Sequence, residues 1–354
     1  MSLLHGYDLL DKMKVITPAK ASIEEIRSFH TKDYLDFCDQ MSRCKDQEKC
    51  SSILDCKLKD VKSSLEDEFG MEYDCPIVQN LKEMILWLAG GSLSAAKWLT
   101  GGYGTRAINW GGGWHHAQRD KASGFCYVND IVIAIHELRK KFDKVLYIDL
   151  DVHHGDGVEN AFAFTKKVFT FSIHKYSPGF YPGSGSFQDV GFGKAKYYCL
   201  NVPLKDGIND EQYNTIFTKL FEKLYCKFQP NAIVVQCGAD CLTGDPLGGF
   251  NLTPNGMEKC INLVTRYAQK TPCLFLGGGG YNRTNAARYW TRITSSIISN
   301  SENSNEIVLS SDIPDNSFFS MYGPSFELSL DKSLRKSENT ERGIESIIQL
   351  ALGT

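Results

Sequence analysis

An apolar run, Lys144-Val145-Leu146-Tyr147-Ile148, passes without a break into Asp149-Leu150-Asp151-Val152-His153-His154-Gly155-Asp156. The first part reads as a buried strand. The second packs three carboxylates and two imidazoles into eight residues. Alternate residues of an extended chain share a face, so Asp149, Asp151 and His153 point the same way. Charged groups on one face of a buried strand are costly unless something pairs them. The fold must therefore bring a partner to this strand end. Carboxylate oxygens with an imidazole nitrogen suit a divalent cation, zinc first.

The surrounding pattern fixes the architecture that supplies the partner. Residues 77–99 read as a helix with Leu81, Met84, Ile85, Leu88 and Leu93 on its apolar face, and Gly90-Gly91 allow close packing there. From residue 106 short apolar runs alternate with amphipathic stretches. Strands are predicted at 107–110, 144–151, 168–173, 197–203, 232–237 and 273–276. Helices are predicted at 129–141, 156–166, 210–228, 254–269, 283–299 and 338–352. That alternation is the mark of an α/β fold: one domain, a mostly parallel multi-stranded sheet, and helices on both faces. Residues 1–70 read as short helices with a loop near 42–65, and 300–312 as a surface loop. No repeat or linker divides the chain.

Composition excludes several classes. With 39 Lys and Arg against 42 Asp and Glu the net charge is −3, without the basic excess of a direct nucleic-acid binder. The apolar stretches are too short to span a bilayer, so no membrane role is expected. The N-terminus, MSLLHGYDLL, lacks the pattern of a signal peptide. The 12 cysteines lack a paired-spacing framework and read as reduced thiols, with Cys237 and Cys273 in apolar settings and Cys44, Cys50 and Cys56 as surface loop thiols.

Ligands of open α/β sheets bind beyond the carboxyl ends of the strands. Here those ends read Gly111-Gly112-Gly113-Trp114-His115-His116, Asp151 to Asp156, Ser172-Ile173-His174, Gly238-Ala239-Asp240, and Gly277-Gly278-Gly279-Gly280-Tyr281. Each alone has an ordinary explanation, such as a helix cap, a tight turn or second-layer packing. Together they would require several independent polar burials along one sheet edge. Asp151, His153 and Asp240 balance a divalent ion and leave a position open, as catalytic sites do. A coordinated imidazole cannot shuttle protons, so His115 and His116 are the acid–base candidates. Asp149 and Asp156 remain to orient them. Tyr281, presented by glycines that permit close backbone approach, can donate to an oxyanion. This set suits amide or ester hydrolysis without a nucleophilic Ser or Cys.

Trp110-Gly111-Gly112-Gly113-Trp114-His115-His116, Ser123-Gly124-Phe125-Cys126-Tyr127-Val128-Asn129-Asp130, Asp149 to Gly157, Gly238-Ala239-Asp240 and Gly277 to Tyr281 resemble the zinc-dependent histone deacetylases, class I above all. The likeness runs from about residue 5 to the end. His174-Lys175-Tyr176-Ser177-Pro178-Gly179-Phe180, Gly244-Asp245-Pro246 and the absence of a long C-terminal tail mark one branch within the class.

The resemblance implies the arginase/deacetylase fold and hydrolysis of acetyl-lysine in histone tails and other proteins. It implies a hydrolase that regulates chromatin and transcription from nucleus and cytoplasm. By the same carry-over Asp151, His153 and Asp240 bind zinc, or iron(II). His115 and His116 are the tandem histidines, with His116 the general acid/base and Asp149 and Asp156 their carboxylate partners. Tyr281 stabilises the transition state. Gly124, Phe125, Tyr181 and Leu247 wall the acyl-lysine tunnel, and Asp74 grips the substrate backbone. A monovalent cation, K+ or similar, is implied at Asp149, Asp151, His153, Ser172 and Ile173. A second is implied at Phe162, Thr165, Val168 and Tyr198.

Three departures stand out. The family's first strand and tunnel-mouth loop do not precede His5-Gly6-Tyr7, Tyr181 stands where many members have Phe, and Pro246 and Thr284 replace arginines of a surface inositol-phosphate site. No inositol-phosphate-dependent co-repressor assembly is therefore expected. Arg139-Lys140-Lys141 reads as a solvated helix face rather than a localisation signal. Alternative readings are an acetylpolyamine amidohydrolase, a two-metal arginase-like hydrolase and a catalytically impaired acetyl-lysine-binding homologue. Asp74, suited to a peptide backbone, favours a protein substrate.

Overall fold

A computed structural model describes residues 1–43, 66–300 and 307–353. Six strands form one sheet: β1 (Arg106–Asn109), β2 (Val145–Asp149), β3 (Val168–Lys175), β4 (Cys199–Leu204), β5 (Ala232–Gln236) and β6 (Cys273–Leu276). Their spatial order is β1-β6-β5-β2-β3-β4, and every pairing is parallel. Parallel neighbours require crossover connections, which explains the helices threaded between these strands.

The helices are α1 (Ser2–Gly6), α2 (Ile23–Ile26), α3 (Lys32–Arg43), α4 (Leu81–Thr100), α5 (Asp130–Arg139), α6 (Asp156–Phe162), α7 (Asp210–Phe228), α8 (Pro254–Tyr267), α9 (Arg283–Ser299) and α10 (Glu341–Gly353). Several start on caps legible in the sequence. Asn129, Asn209, Thr253 and Asn282 each accept a backbone N–H of the first turn, and Ser22 with Glu25 forms a capping box.

Two cores lie on the two sheet faces. Leu146 and Ile148 of β2 pack with Phe217 of α7, Ile261 of α8, Tyr289 of α9 and Ile348 of α10. Val145 and Tyr147 face the other way, toward Tyr34 of α3, Ile85 of α4 and Ile131 of α5. One sheet shared by both cores makes a single domain. At Gly90 a Cβ would lie 2.1 Å from the Ala19 carbonyl oxygen, so the glycine pair does permit close packing, against the segment at 19–21.

Some boundaries move. The helix expected at 156–166 ends at Phe162, and the strand expected at 197–203 starts at Cys199. β3 runs to Lys175, so Ser172, Ile173 and His174 lie within it rather than past its end. β2 stops at Asp149 rather than residue 151. Its alternation nevertheless continues: Leu150 N donates to Gln236 O at 3.0 Å, Lys175 N donates to Val152 O at 2.8 Å, and Leu150 and Val152 remain in the core of Leu146 and Ile148. Cys44, Cys50 and Cys56 lie outside the described residues. Cys237 and Cys273 are buried free thiols. No described helix is long and apolar enough to cross a membrane.

Candidate metal centre and acid–base site

The ends of β2, β5 and β6 converge, as parallel neighbours must. Asp151 and His153 follow β2, and Asp240 follows β5. All three are buried, with one ligand atom from each within 4.8 Å of the others. His153 Nδ1 lies 3.1 Å from Asp151 Oδ1 and 3.0 Å from Asp240 Oδ2. Burial would lower the His153 pKa, but the two carboxylates outweigh it and lift it to about 10. The pocket thus holds one imidazole between two acids and favours a positive charge. Glycines keep it open: a Cβ on Gly279 would fall 2.0 Å from Asp240 Oδ2, and one on Gly238 2.2 Å from Asp151 Oδ2. Donor types, burial and a cradle that any side chain would fill all fit a divalent metal.

Neighbours fix the ligands in place. Asp151 Oδ2 accepts from Gln236 Nε2 at 2.8 Å and Gly279 N at 2.9 Å. Asp240 Oδ1 accepts from Val152 N at 3.0 Å. The Phe180 ring stacks on His153 with centroids 5.1 Å apart.

Two further histidines arrive from the glycine-rich turn after β1. Asp130, at the start of α5, holds that turn by accepting from Gly113 N at 3.0 Å and Trp114 N at 2.8 Å. His115 Nδ1 meets Asp149 Oδ2 at 2.8 Å, and Tyr147 donates to the same oxygen at 2.6 Å. His116 Nδ1 meets Asp156 Oδ1 at 2.8 Å, while Gln118 Nε2 donates to Asp156 Oδ2 at 2.9 Å.

The paired rings, 3.9 Å apart, differ in basicity. Burial lowers the His115 pKa, but Asp149 and Asp151 overcome it and lift the group to about 9. Burial and the adjacent His115 push His116 down to about 4 against the pull of Asp156. Neighbouring imidazoles held in different protonation states can divide proton transfer from charge stabilisation.

Phe125, Tyr181, Leu247 and Tyr281, expected along the acyl-lysine path, are all partly exposed. Phe125 and Tyr281 meet edge-to-face at 5.8 Å, and Tyr181 meets His116 likewise at 4.9 Å. Gly124 adopts φ +54, and a Cβ there would strike His116 and Tyr181. Asp74 Oδ2 accepts from Gly124 N at 2.9 Å, which puts its carboxylate beside Phe125. Tyr281 is held by its backbone N–H, 2.8 Å from Asp245 Oδ2. Burial and the carboxylates of Asp151 and Asp240 push its phenol well above the ordinary range, so it remains a proton donor.

Of the residues expected at the monovalent-cation positions, Asp149 and Ser172 are register partners across β2 and β3. Ser172 Oγ contacts His174 Nδ1 at 2.8 Å, while Asp149, Asp151 and His153 belong to the networks above, beside Ile173 of β3. Thr165 N donates to Phe162 O at 3.0 Å, Thr170 N donates to Tyr198 O at 3.1 Å, and Val168 begins β3.

Sequence reasoning did not single out Tyr147, Gln118, Gln236, Asp130 or Asp245. Tyr147 stands two residues before Asp149, a spacing that puts both on one strand face. Gln236 was a visible polar residue at the end of an apolar strand. Nothing in the sequence alone pairs Asp130 with the turn at 113–114.

The chain matches the histone deacetylase domain over residues 1–297. Histone deacetylase 8 of Xenopus tropicalis is 44% identical over 352 residues, 99% of this chain and 89% of that protein. Histone deacetylase 8 of Danio rerio is 44% identical over 99% of this chain and 87% of its own length. Histone deacetylase 1 of Homo sapiens is 42% identical over 98% of this chain and 67% of its own length.

Proposed function

The chain belongs to the histone deacetylase family, a family of metal-dependent lysine deacetylases, and from that premise we propose that it hydrolyses the acetyl amide of acetyl-lysine in histones and other proteins with zinc at Asp151, His153 and Asp240. Asp151, His153 and Asp240 would hold a divalent ion, which would supply Lewis acidity for the amide carbonyl and for water. The surrounding side chains do the rest. His116, kept neutral with Nδ1 on Asp156, has Nε2 free to take a proton from the attacking water. It returns that proton to the amine as the C–N bond breaks, so acetate and a free lysine side chain leave. His115, kept protonated by Asp149, places positive charge beside the developing negative charge. The Tyr281 hydroxyl donates to the oxyanion. Phe125 and Tyr181 flank the aliphatic stem of lysine, and Asp74 turns from Gly124 N to the substrate backbone.

The observation that carries this reading is the pair of imidazole–carboxylate couples of opposite basicity beside a buried Asp-His-Asp triad. A monovalent cation, K+ above all, is part of the proposal, with Asp149 and Ser172 its nearest candidates. So is a nuclear and cytoplasmic location, which follows from the substrate class. Independence from inositol phosphates is part of the proposal as well, supported by Pro246 and Thr284 at two positions where a charged anion site would need arginines.

The test is turnover by the purified chain on an acyl-lysine peptide panel and on acetylspermidine, with divalent metal measured on the same sample. Faster hydrolysis of the peptides with about one metal per chain is expected. Preference for acetylspermidine would replace this reading with a polyamine amidohydrolase, and two metals per chain with an arginase-like centre.

A further inference from the structure

A pocket of about 330 Å³ opens at the opposite end of the sheet from the metal centre, between the start of β4, the last turns of α7 and the end of α10. Its walls come from residues that precede strands: Lys144 before β2, Lys166 before β3, and Tyr197 and Tyr198 before β4. The floor is apolar, built by Phe169, Leu220, Leu224 and Phe228. The rim is cationic, with Lys144, Lys166, Lys196, Lys223 and Lys227 around it and no acidic side chain in the lining.

Four of these ammonium groups, those of Lys144, Lys166, Lys196 and Lys223, rest on neutral partners. Lys144 Nζ donates to Phe228 O at 3.1 Å, and Lys223 Nζ donates to Leu352 O. Lys166 sits 5.8 Å over the Tyr198 ring and Lys196 5.2 Å over the Tyr197 ring. Among the described residues none of these four lysines is ion-paired. The like charges of these four lysines repel one another, and an anion relieves that repulsion. The volume lies at the small end of the ~300–1,000 Å³ typical of small-molecule sites. One flexible chain fits that space; a helix or a protein strand with side chains does not.

We propose that this pocket binds an amphipathic carboxylate, the anion of a medium- or long-chain fatty acid, with its tail on the Phe169–Phe228 floor and its head among the lysines. The site stands apart from the proposed catalytic reading: it shares no residue with the Asp-His-Asp set, the histidine–carboxylate couples or Phe125, Tyr181, Leu247 and Tyr281, and only Tyr198 with the second monovalent-cation position.

The probe is dodecanoate, titrated calorimetrically against the full chain below its micellar range, with dodecanol as the uncharged control. Saturable binding at one site is expected, about tenfold weaker for dodecanol, since each tenfold corresponds to roughly 1.4 kcal/mol of lost head-group interaction. The triple variant Lys166→Gln/Lys196→Gln/Lys223→Gln should weaken dodecanoate binding at least as much and leave deacetylation of an acetyl-lysine peptide unchanged. Leu224→Trp, which fills the floor, should abolish binding. If that variant unfolds, the lysine variant and the alcohol control still decide. Equal affinity for acid and alcohol, no saturable binding, binding untouched by the lysine changes, or displacement by saturating acetyl-lysine peptide would each overturn the proposal. A requirement for phospholipid vesicles, with free dodecanoate inert, would overturn it in favour of a membrane surface.

Discussion

At the scale of single residues, the site works by giving similar side chains unequal surroundings. His115 and His116 are adjacent and touching, yet one is driven toward the charged form and the other away from it. The acid limb of kcat/KM should therefore lie well below the ordinary histidine value. His116 is lowered to about 4, so it stays a competent base as pH falls through 6.5 and loses that role only on protonation near its own pKa. Asp156 is the group that raises it, so Asp156→Asn should shift the limb to still lower pH and reduce the maximal rate. A pH–rate profile whose limb moves upward would remove His116 from the base role. Tyr281→Phe should lower kcat by about 10²–10³ with metal content unchanged, the usual cost of one oxyanion donor. Unchanged turnover in that variant would take Tyr281 out of the reaction.

At the scale of elements, strand ends supply ligands and a helix start positions the turn that carries the histidines. Asn129 caps α5 and also donates from Nδ2 to Ala117 O at 3.0 Å, tying the helix to the chain just beyond His116. Its backbone N–H donates to Nε2 of buried His30 at 3.0 Å, from the segment between α2 and α3. Burial lowers the His30 pKa to about 4, against carbonyl contacts from Arg119 and Gln118. The unfolded chain takes up this proton as pH falls below 6.5, while the folded protein resists until about 4. Stability should thus fall across that window, by up to roughly 3 kcal/mol from this group alone. His30→Gln should flatten the dependence of unfolding free energy on pH between 6.5 and 4 by about one proton, measured by denaturant titration at several pH values. An unaltered slope would mean that His30 titrates normally. The elements themselves were largely legible, because strand and helix periods differ and caps such as Thr253-Pro254 are local signals. Their exact ends were not. β2 stops at Asp149 although its alternation runs on through Leu150 and Val152, whose backbone still bonds β5 and β3 and whose side chains stay in the core.

At the scale of the whole molecule, folding assembles buried Asp151 and Asp240, a cluster that a bound cation would stabilise. Asp151 and Asp240 come from strands 80-odd residues apart in sequence and face one another across the metal pocket, with Asp240 pushed upward by burial and by Asp151. Chelation should abolish turnover and lower Tm, and added zinc should restore both. At a hundredfold excess of free metal over its Kd the linkage is worth about 2.7 kcal/mol. A chelated protein with undiminished Tm would separate metal binding from stability.

The sequence by itself determined the α/β plan, the polar strand ends and the kinds of atom gathered there, because periodicity and buried charge are local properties of the chain. It also carried the motifs by which the family is known. The tertiary structure alone decided which acid meets which histidine. Asp149 and Asp156 stand seven residues apart and looked interchangeable, but β2 aims one at His115 and the start of α6 aims the other at His116. The contacts of Gln236 with Asp151, of Asp130 with the turn at 113–114 and of Asp245 with Tyr281, and the lysine-rimmed pocket at the far end of the sheet, were likewise left to the fold, whereas Tyr147 and Asp149 share a strand face by their spacing alone. Those left to the fold depend on elements that meet only in the folded chain, and the order of strands in a parallel sheet is set by packing of the whole.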